Sequence, residues 1–187
     1  MDVAAAPPPS YGGTERPARA TVPPPARERN TMSACRTCLS LDREKAVAAA
    51  ELWTSLAPDS RIEKVIELDG PNDPVVIDLT IAGTPYQILG APHMGDPTMA
   101  SSFFLTVADQ TELDRFWDGI LAAGGEELEC SWIRDPYGFF WQVVPQVLTD
   151  AMLGEDAAVR QAAVEVVWTQ RRVVVAEVEK AVEASRS

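Results

Sequence analysis

Two glutamines stand alone among hydrophobic residues in two segments of similar sequence. Gln87 lies in Gly-Thr-Pro-Tyr-Gln-Ile-Leu, residues 83–89, and Gln142 lies in Gly-Phe-Phe-Trp-Gln-Val-Val, residues 138–144. Because strand side chains alternate between faces, both amides are expected on the same kind of surface. There each amide can donate and accept hydrogen bonds to a ligand. The alternative is that the glutamines bond each other or nearby backbone groups.

A carboxylate interrupts an apolar run in the same region. Asp78 is expected on the face opposite Val75, Ile77 and Leu79. A carboxylate in an apolar cup would have a raised pKa and could act as a general base, whereas one at a solvated edge would not. Asp78 and Gln142 are therefore the candidate catalytic residues.

Several aromatic residues fall in the same predicted strands, and by alternation about half of them belong to the core. The others would line an apolar pocket with few polar groups, which is typical of a small-molecule site. Phe104 and Phe140 are the candidates for ligand contact. The aromatic residues considered are Tyr86, Phe104, Trp132, Phe140 and Trp141.

Cys35-x-x-Cys38 has the spacing of a redox or zinc pair. Redox pairs normally begin a helix, where the dipole lowers the thiol pKa. This pair falls on a predicted strand, which favours two buried thiols, and Cys130 is a distant third thiol. His93, the single histidine, is expected in a surface loop.

The strands and helices that would position these residues occur in the same order twice. Each unit has an extended segment, an amphipathic helix and three short strands, which predicts an α+β fold built from two βαβββ modules. Turn signals separate the strands, including Gly83-Thr84-Pro85 and the Asp-Pro-Tyr-Gly segment at residues 135–138. The predicted elements are strands at 35–41, 61–68, 75–82, 86–89 and 101–107, helices at 44–56 and 110–123, and three short strands through residue 144. Alternation in the strand at 61–68 predicts that Ile62, Ile66 and Leu68 share one face.

The two ends of the chain differ from this pattern. Residues 1–32 are rich in Pro, Ala, Arg and Gly and predict a disordered arm. A short helix is expected at 147–153, and helical apolar spacing continues from 155 to 184, which predicts one long C-terminal helix. That helix would pack on the chain's own sheet or on a second subunit. The predicted organisation is an arm at 1–32, a domain at 33–150 with modules at 33–92 and 99–146, and a helical extension at 151–187.

Charge and composition exclude some classes of function. The net charge is −12, and residues 1–32 hold four arginines against three acidic residues, so the rest of the chain carries −13. Such a surface repels phosphate backbones, which argues against nucleic acid. The sequence has neither a run of about 18 apolar residues for a membrane span nor a good secretory signal. It has three cysteines, an odd number, which argues against a framework of disulfides. These features predict a cytoplasmic protein with reduced thiols and no membrane association.

The modules and their motifs resemble the vicinal oxygen chelate superfamily of glyoxalase, bleomycin-resistance and extradiol-dioxygenase proteins. The chain is most similar to the PhnB-like branch, whose domains carry the label 3-demethylubiquinone-9 3-methyltransferase. The resemblance implies modules that form a cupped mixed sheet, often in a homodimer. The segments that carry it are 37–42, 53–60, 81–86, 114–118, 123–126, and 130–138 running into 141–145.

In metal-dependent members of this superfamily, the first and last strands of each module supply metal ligands. Those positions correspond here to Cys35, within one or two residues, and to Gln87, Ser102 and Gln142. Two amides, a hydroxyl and a thiol lack the imidazole and carboxylate groups that divalent metals favour, so we predict no metal cofactor. If a metal is present, these four residues are the ligands expected.

The function predicted from the sequence is binding of a small organic molecule in the cup. The chain would perform a metal-independent isomerase or lyase step, or assist a biosynthetic or resistance pathway. A metal-dependent enzyme and a non-catalytic drug-binding dimer are the alternatives. Methyl transfer is disfavoured, because no glycine-rich loop for S-adenosylmethionine is evident between a strand and a helix. The predicted ligand contacts are Cys35, Gln87, Ser102, Phe104, Phe140 and Gln142.

Overall fold

A computed structural model describes residues 35–70, 72–92 and 94–186. The predicted arm at residues 1–32 and the predicted surface position of His93 lie outside these described residues. The domain contains two βαβββ modules followed by three helices, which confirms the predicted α+β fold.

The first module forms a four-stranded mixed sheet in the order β1-β4-β3-β2, here called sheet 1. Strand β1 runs parallel to β4, while β3 is antiparallel to both of its neighbours. Helix α1 packs on one face of this sheet. The elements are β1 (Thr37–Leu41), α1 (Arg43–Leu56), β2 (Arg61–Glu67), β3 (Val75–Ile81) and β4 (Thr84–Gly90).

The second module repeats the arrangement as sheet 2, in the order β5-β8-β7-β6. Its helix begins at a side-chain cap, because the Asp109 carboxylate accepts a hydrogen bond from the Glu112 amide at 2.9 Å. The elements are β5 (Ser102–Val107), α2 (Gln110–Ala122), β6 (Glu126–Glu127), β7 (Trp132–Arg134) and β8 (Phe140–Pro145).

Each sheet has an inner face, which is buried against the helices, and an open face. Alternation along the strands assigns residues to these faces, since side chains at i and i+2 share a side. The inner faces of both sheets and the helices form one hydrophobic core. Inner-face residues include Val75, Ile77, Leu79 and Ile88 in sheet 1, and Phe103, Leu105, Trp141 and Val143 in sheet 2.

Strand β2 departs from simple alternation. Ile62 and Ile66 would share a face in a regular strand, which was the sequence prediction. A register shift between Ile62 and Lys64 instead pairs Ile62 with Leu79 and Ile66 with Val76, which lie on opposite faces of β3. The prediction was therefore wrong at this point, because a β-bulge inserts an extra residue and reverses the faces beyond it.

The modules are linked through a buried carboxylate. Asp135, 2% exposed, belongs to the Asp-Pro-Tyr-Gly turn before β8. Its Oδ2 accepts hydrogen bonds from the indole N–H of Trp53 in α1, at 2.7 Å, and of Trp141 in β8, at 3.0 Å. Its Oδ1 accepts from the backbone amides of Tyr137 and Phe139, at 2.9 and 3.0 Å. One side chain thus joins the first module's helix to the second module's turn and last strand.

The C-terminal extension is helical, as predicted, but the prediction of one long helix was wrong. After α3 (Gln146–Leu153), the chain forms α4 (Ala157–Trp168) and α5 (Val175–Ser185). The intervening backbone makes tertiary hydrogen bonds in place of helical ones. The carbonyls of Gln170 and Arg171 accept from the amides of Cys130 and Ser131, at 2.9 and 2.8 Å.

A side-chain amide of α2 fixes the same segment from the other side. Gln110 donates from Nε2 to the Val173 carbonyl, at 3.2 Å, and accepts through Oε1 from the Val175 amide, at 2.8 Å. Val173 is fully buried. Helices α4 and α5 therefore contact their own domain through the break.

Candidate functional site

The open face of sheet 2 carries a polar pair beside aromatic rings. Gln142 on β8 donates from Nε2 to the hydroxyl of Ser102 on β5, at 2.8 Å. The parallel register places Phe104 beside Gln142 and Phe140 beside Ser102. Phe104 is 52% exposed, although it lies at the centre of a strand, and Phe140 is half-buried. We call Ser102, Phe104, Phe140 and Gln142 the second-module patch.

The open face of sheet 1 carries a different polar group. Asp78 accepts on Oδ1 from Nε2 of Gln87, at 2.9 Å, and from Nη1 of Arg36, at 3.2 Å. Both bonds end on Oδ1, so Oδ2 accepts none from the described residues. Cys38 lies beside Gln87 in the register of β1 and β4 and is exposed. We call Arg36, Cys38, Asp78 and Gln87 the first-module patch.

Charged and polar groups on β2 and β3 extend this patch. Glu63 accepts a hydrogen bond from the Thr80 hydroxyl, at 2.6 Å, and forms an ion pair with Arg61, at 2.7 Å. The hydrogen bond from Thr80 is the main cause that lowers the pKa of Glu63, and Arg61 acts in the same direction. The open face of sheet 1 is thus ionic, whereas that of sheet 2 is aromatic.

The strand registers show which residues are equivalent in the two modules. Gln87 pairs with Cys38, and Gln142 pairs with Phe104. Two residues earlier on the same faces are Arg36 and Ser102. Arg36 is therefore the structural counterpart of Ser102, and it lies one residue beyond Cys35, within the margin of the sequence assignment. Cys35 itself precedes β1 and is exposed.

The structure brings some of the predicted site residues together and leaves others apart. Asp78 contacts Gln87, and Ser102 contacts Gln142. The hydrogen bonds of each glutamine remain within its own module. Sequence reasoning missed Arg36, because only the strand register reveals that it shares a face with Asp78 and Gln87.

The donor groups at these positions do not fit a divalent metal. The four equivalent positions now present a guanidinium, two amides and a hydroxyl, from Arg36, Gln87, Gln142 and Ser102. A permanent cation repels a metal ion, and neutral amides and hydroxyls are poor ligands without carboxylate or imidazole partners. Among residues 35–70, 72–92 and 94–186, no group of three or more His, Cys, Asp or Glu side chains could hold a metal.

The cysteines differ from the sequence prediction of two buried thiols. Cys35 and Cys38 are both exposed, and Cys130 is half-buried; all three are free. Residues three apart in an extended chain are separated by roughly 10 Å, beyond the reach of a disulfide.

Within the part of the chain that the structure describes, no helix is long and apolar enough to cross a membrane.

Comparisons with known proteins identify relatives of the chain. The family model described as 3-demethylubiquinone-9 3-methyltransferase matches residues 33–144. A PhnB protein from Bacillus cereus, which bears the same methyltransferase name, is 25% identical with a TM-score of 0.53, covering 60% of this chain and 99% of its own. The fosfomycin resistance protein FosX from Listeria monocytogenes shares the fold at 14% identity and a TM-score of 0.50, covering 67% of this chain and 99% of its own. The comparison with curated proteins found no match.

Proposed function

We propose that this chain, which belongs to the 3-demethylubiquinone-9 3-methyltransferase family and has the vicinal oxygen chelate fold, binds a small organic molecule without a divalent metal. The observation that carries the proposal is the second-module patch. A hydrogen-bonded amide and hydroxyl stand beside a ring that is 52% exposed. Apolar walls with a few polar groups are the usual composition of a small-molecule site.

The side chains of this patch have distinct roles in the proposal. Gln142 uses Nε2 to hold Ser102, so its Oε1 accepts a hydrogen bond from the ligand. Phe104 and Phe140 offer rings against which an apolar or planar part of the ligand packs. The ligand is therefore an amphipathic molecule with a planar part and a hydrogen-bond donor.

A ligand-observed NMR screen of a fragment library tests this proposal. Fragments that bind the wild-type protein should lose binding in both Gln142→Ala and Phe104→Ala. The matched control is Trp168→Ala, which removes an aromatic ring that is 63% exposed on α4. Fragments that bind the wild type and all three variants equally would place the ligand outside the second-module patch. A screen in which no fragment binds the wild type would refute the proposal.

The metal-free part of the proposal has its own test. Elemental analysis of protein purified without chelator or metal-affinity resin should find less than a tenth of an equivalent of Mg, Mn, Fe or Zn. Stoichiometric metal in the wild type that disappears in Gln142→Ala would reverse this conclusion.

A catalytic role is a second candidate, and it is favoured by Oδ2 of Asp78, which accepts no hydrogen bond from the described residues. Arg36 and Gln87 hold Oδ1, which leaves Oδ2 to take a proton in an isomerase or lyase step. A general base of this kind exchanges an acidic C–H of a bound ligand with solvent. Deuterium should enter such a ligand in D2O with the wild type but not with Asp78→Asn. Incorporation that is equal in both proteins, or absent from both, would exclude the role.

Methyl transfer is not our proposal, despite the name of the family. A nucleotide-type cofactor is commonly held by a glycine-rich turn between a strand and a helix. Here residue 42 joins β1 to α1, and residues 108–109 join β5 to α2, and none of the three is glycine. A titration with S-adenosylmethionine should therefore show no saturable binding.

We also propose that the protein is a homodimer, as the resemblance implies. Two exposed apolar side chains at the end of α3 support an interface there, because Met152 is 41% and Leu153 is 82% exposed. Sedimentation equilibrium should give twice the 20.3 kDa chain mass for the wild type. Leu153→Glu should shift the equilibrium to monomers, while a wild type that sediments as a monomer would refute the proposal.

A further inference from the structure

Two neighbouring cavities lie where the modules meet, along the free edge of β5. Their volumes are about 220 and 90 Å³. Tyr86 of β4 and Phe103 of β5 line both cavities, and their rings contact each other edge to face, with centroids 5.3 Å apart. This ring pair forms a wall common to the two cavities.

The walls of the larger cavity combine aromatic and aliphatic side chains with two threonines, Thr84 and Thr106. Ile81, Phe104, Leu105 and Trp141 line it together with the shared ring pair. An apolar cavity of about 150 Å³ is enough to hold benzene, so 220 Å³ accommodates a ring with a small substituent. Aromatic walls also offer edge-to-face and stacked contacts to a bound ring.

One polar group at the common wall has no hydrogen-bond partner among the described residues. The hydroxyl of Tyr86 makes no hydrogen bond to any residue that the structure describes, whereas the indole N–H of Trp141 is bonded to Asp135. A tyrosine phenol is protonated at neutral pH, and burial raises the pKa of Tyr86 further, so its hydroxyl can donate a hydrogen bond. The hydroxyl is open to the cavity, where it can donate a hydrogen bond to a ligand.

We propose that the larger cavity is a binding site for a single-ring aromatic molecule with one polar substituent, which accepts a hydrogen bond from the Tyr86 hydroxyl. The site is separate from the patches that support the proposed function, because it depends on Tyr86 and Phe103 rather than on Gln87 and Gln142. Phe104 is the side chain common to this cavity and the second-module patch. Because Gln142 belongs only to the patch and Tyr86 only to the cavity, the two proposals can still fail independently.

Phenol and toluene are suitable probes, because they are similar in size and differ in the hydroxyl. Isothermal titration of both compounds into wild type and Tyr86→Phe forms a double-mutant cycle. The wild type should prefer phenol over toluene about fivefold more strongly than Tyr86→Phe does, the usual contribution of one hydrogen bond. A preference that is the same in both proteins would show that Tyr86 does not contact the substituent, which would overturn the proposal.

A cavity-filling variant tests the location independently of that bond. Thr106 lines the larger cavity, so Thr106→Phe should weaken both probes at least tenfold. Thr169→Phe is the matched control, because Thr169 caps α4 at an exposed position. Equal binding to both variants, or no binding to the wild type, would overturn the site. A phenol affinity that falls in Gln142→Ala but not in Thr106→Phe would place the probe in the second-module patch, and the cavity proposal would fail.

Discussion

Replacement of Asp135 by asparagine tests whether this carboxylate links the two modules. The substitution keeps the shape of the side chain but leaves one acceptor oxygen instead of two. In the wild type, the carboxylate accepts hydrogen bonds from two indole N–H groups on Oδ2 and from two backbone N–H groups on Oδ1. Whichever way the new amide is turned, its NH2 group faces two of these four donors.

The size of the stability loss follows from the number of hydrogen-bond donors that are left without an acceptor. A buried donor without a partner costs about 1–3 kcal/mol, so two donors cost about 2–6 kcal/mol. Removal of a buried charge offsets part of this cost, because a carboxylate that is 2% exposed has lost most of its hydration. We expect the free energy of unfolding of Asp135→Asn to fall by about 3 kcal/mol.

Urea unfolding followed by circular dichroism and by tryptophan fluorescence measures this change. The transitions followed by both probes should shift to lower urea by the same amount, because a single domain unfolds cooperatively. Asp69→Asn is the matched control, since Asp69 is exposed, and it should stay within about 0.5 kcal/mol of wild type. An Asp135→Asn protein as stable as that control would refute the reasoning.

Three further predictions concern stability. Burial raises the pKa of Asp135 in the folded protein above its value in the unfolded chain. The contribution of Asp135 to the free energy of unfolding is therefore full below the unfolded-chain pKa and is lost as pH rises through the folded pKa. A pH series of unfolding free energies should show this decline in wild type but not in Asp135→Asn. Arg172→Ala should cost about 1–2 kcal/mol in urea unfolding, because it removes ion pairs to α2 and a cation–π contact with Trp117 at 5.5 Å, and an unchanged midpoint would contradict this. Gly125→Ala should lower the unfolding free energy by about 1–3 kcal/mol, since a Cβ there would lie 2.6 Å from the Arg134 carbonyl oxygen, and a melting temperature equal to wild type would count against that close approach.

Local periodicity accounts for the part of the fold that the sequence predicted. Tyr86 and Trp141 face inward and Gln87 and Gln142 face outward, because strand alternation depends only on neighbouring residues. Gly83 and Gly138 both adopt positive φ, 74° and 94°, at the turns before these strands. Turn residues and alternation together were sufficient to predict both modules.

Interactions between distant residues account for the errors. The apolar spacing from 155 to 184 continues in helical phase across Val173 and Val174, so no local signal marks the break. Its cause is the set of tertiary hydrogen bonds to Gln110, Cys130 and Ser131. Similarly, a bulge in β2 is invisible to a pattern of alternating residues.

The sequence predicted that the two glutamines of the candidate site face outward, but it did not predict the ion pair between Arg36 and Asp78. Arg36 reaches Asp78 only because β1 pairs with β4 in a register that local sequence does not specify. Asp135 likewise reads as an ordinary turn residue, since its partner Trp53 is 82 positions away. Sequence reasoning identified the residue types, and the pairing of strands decided their neighbours.

The turn at Cys130 and Ser131 ties the order of protein synthesis to the completion of the domain. Both residues have left-handed backbone, with φ of 60° and 61°, which non-glycine residues seldom adopt without support. Their amides are bonded to the carbonyls of residues 170 and 171, about forty positions later. A nascent chain that ends before these residues lacks both acceptors. The second module can therefore reach its final geometry only after residues 170 and 171 have left the ribosome, so premature termination in α4 leaves both modules translated but one of them unfinished.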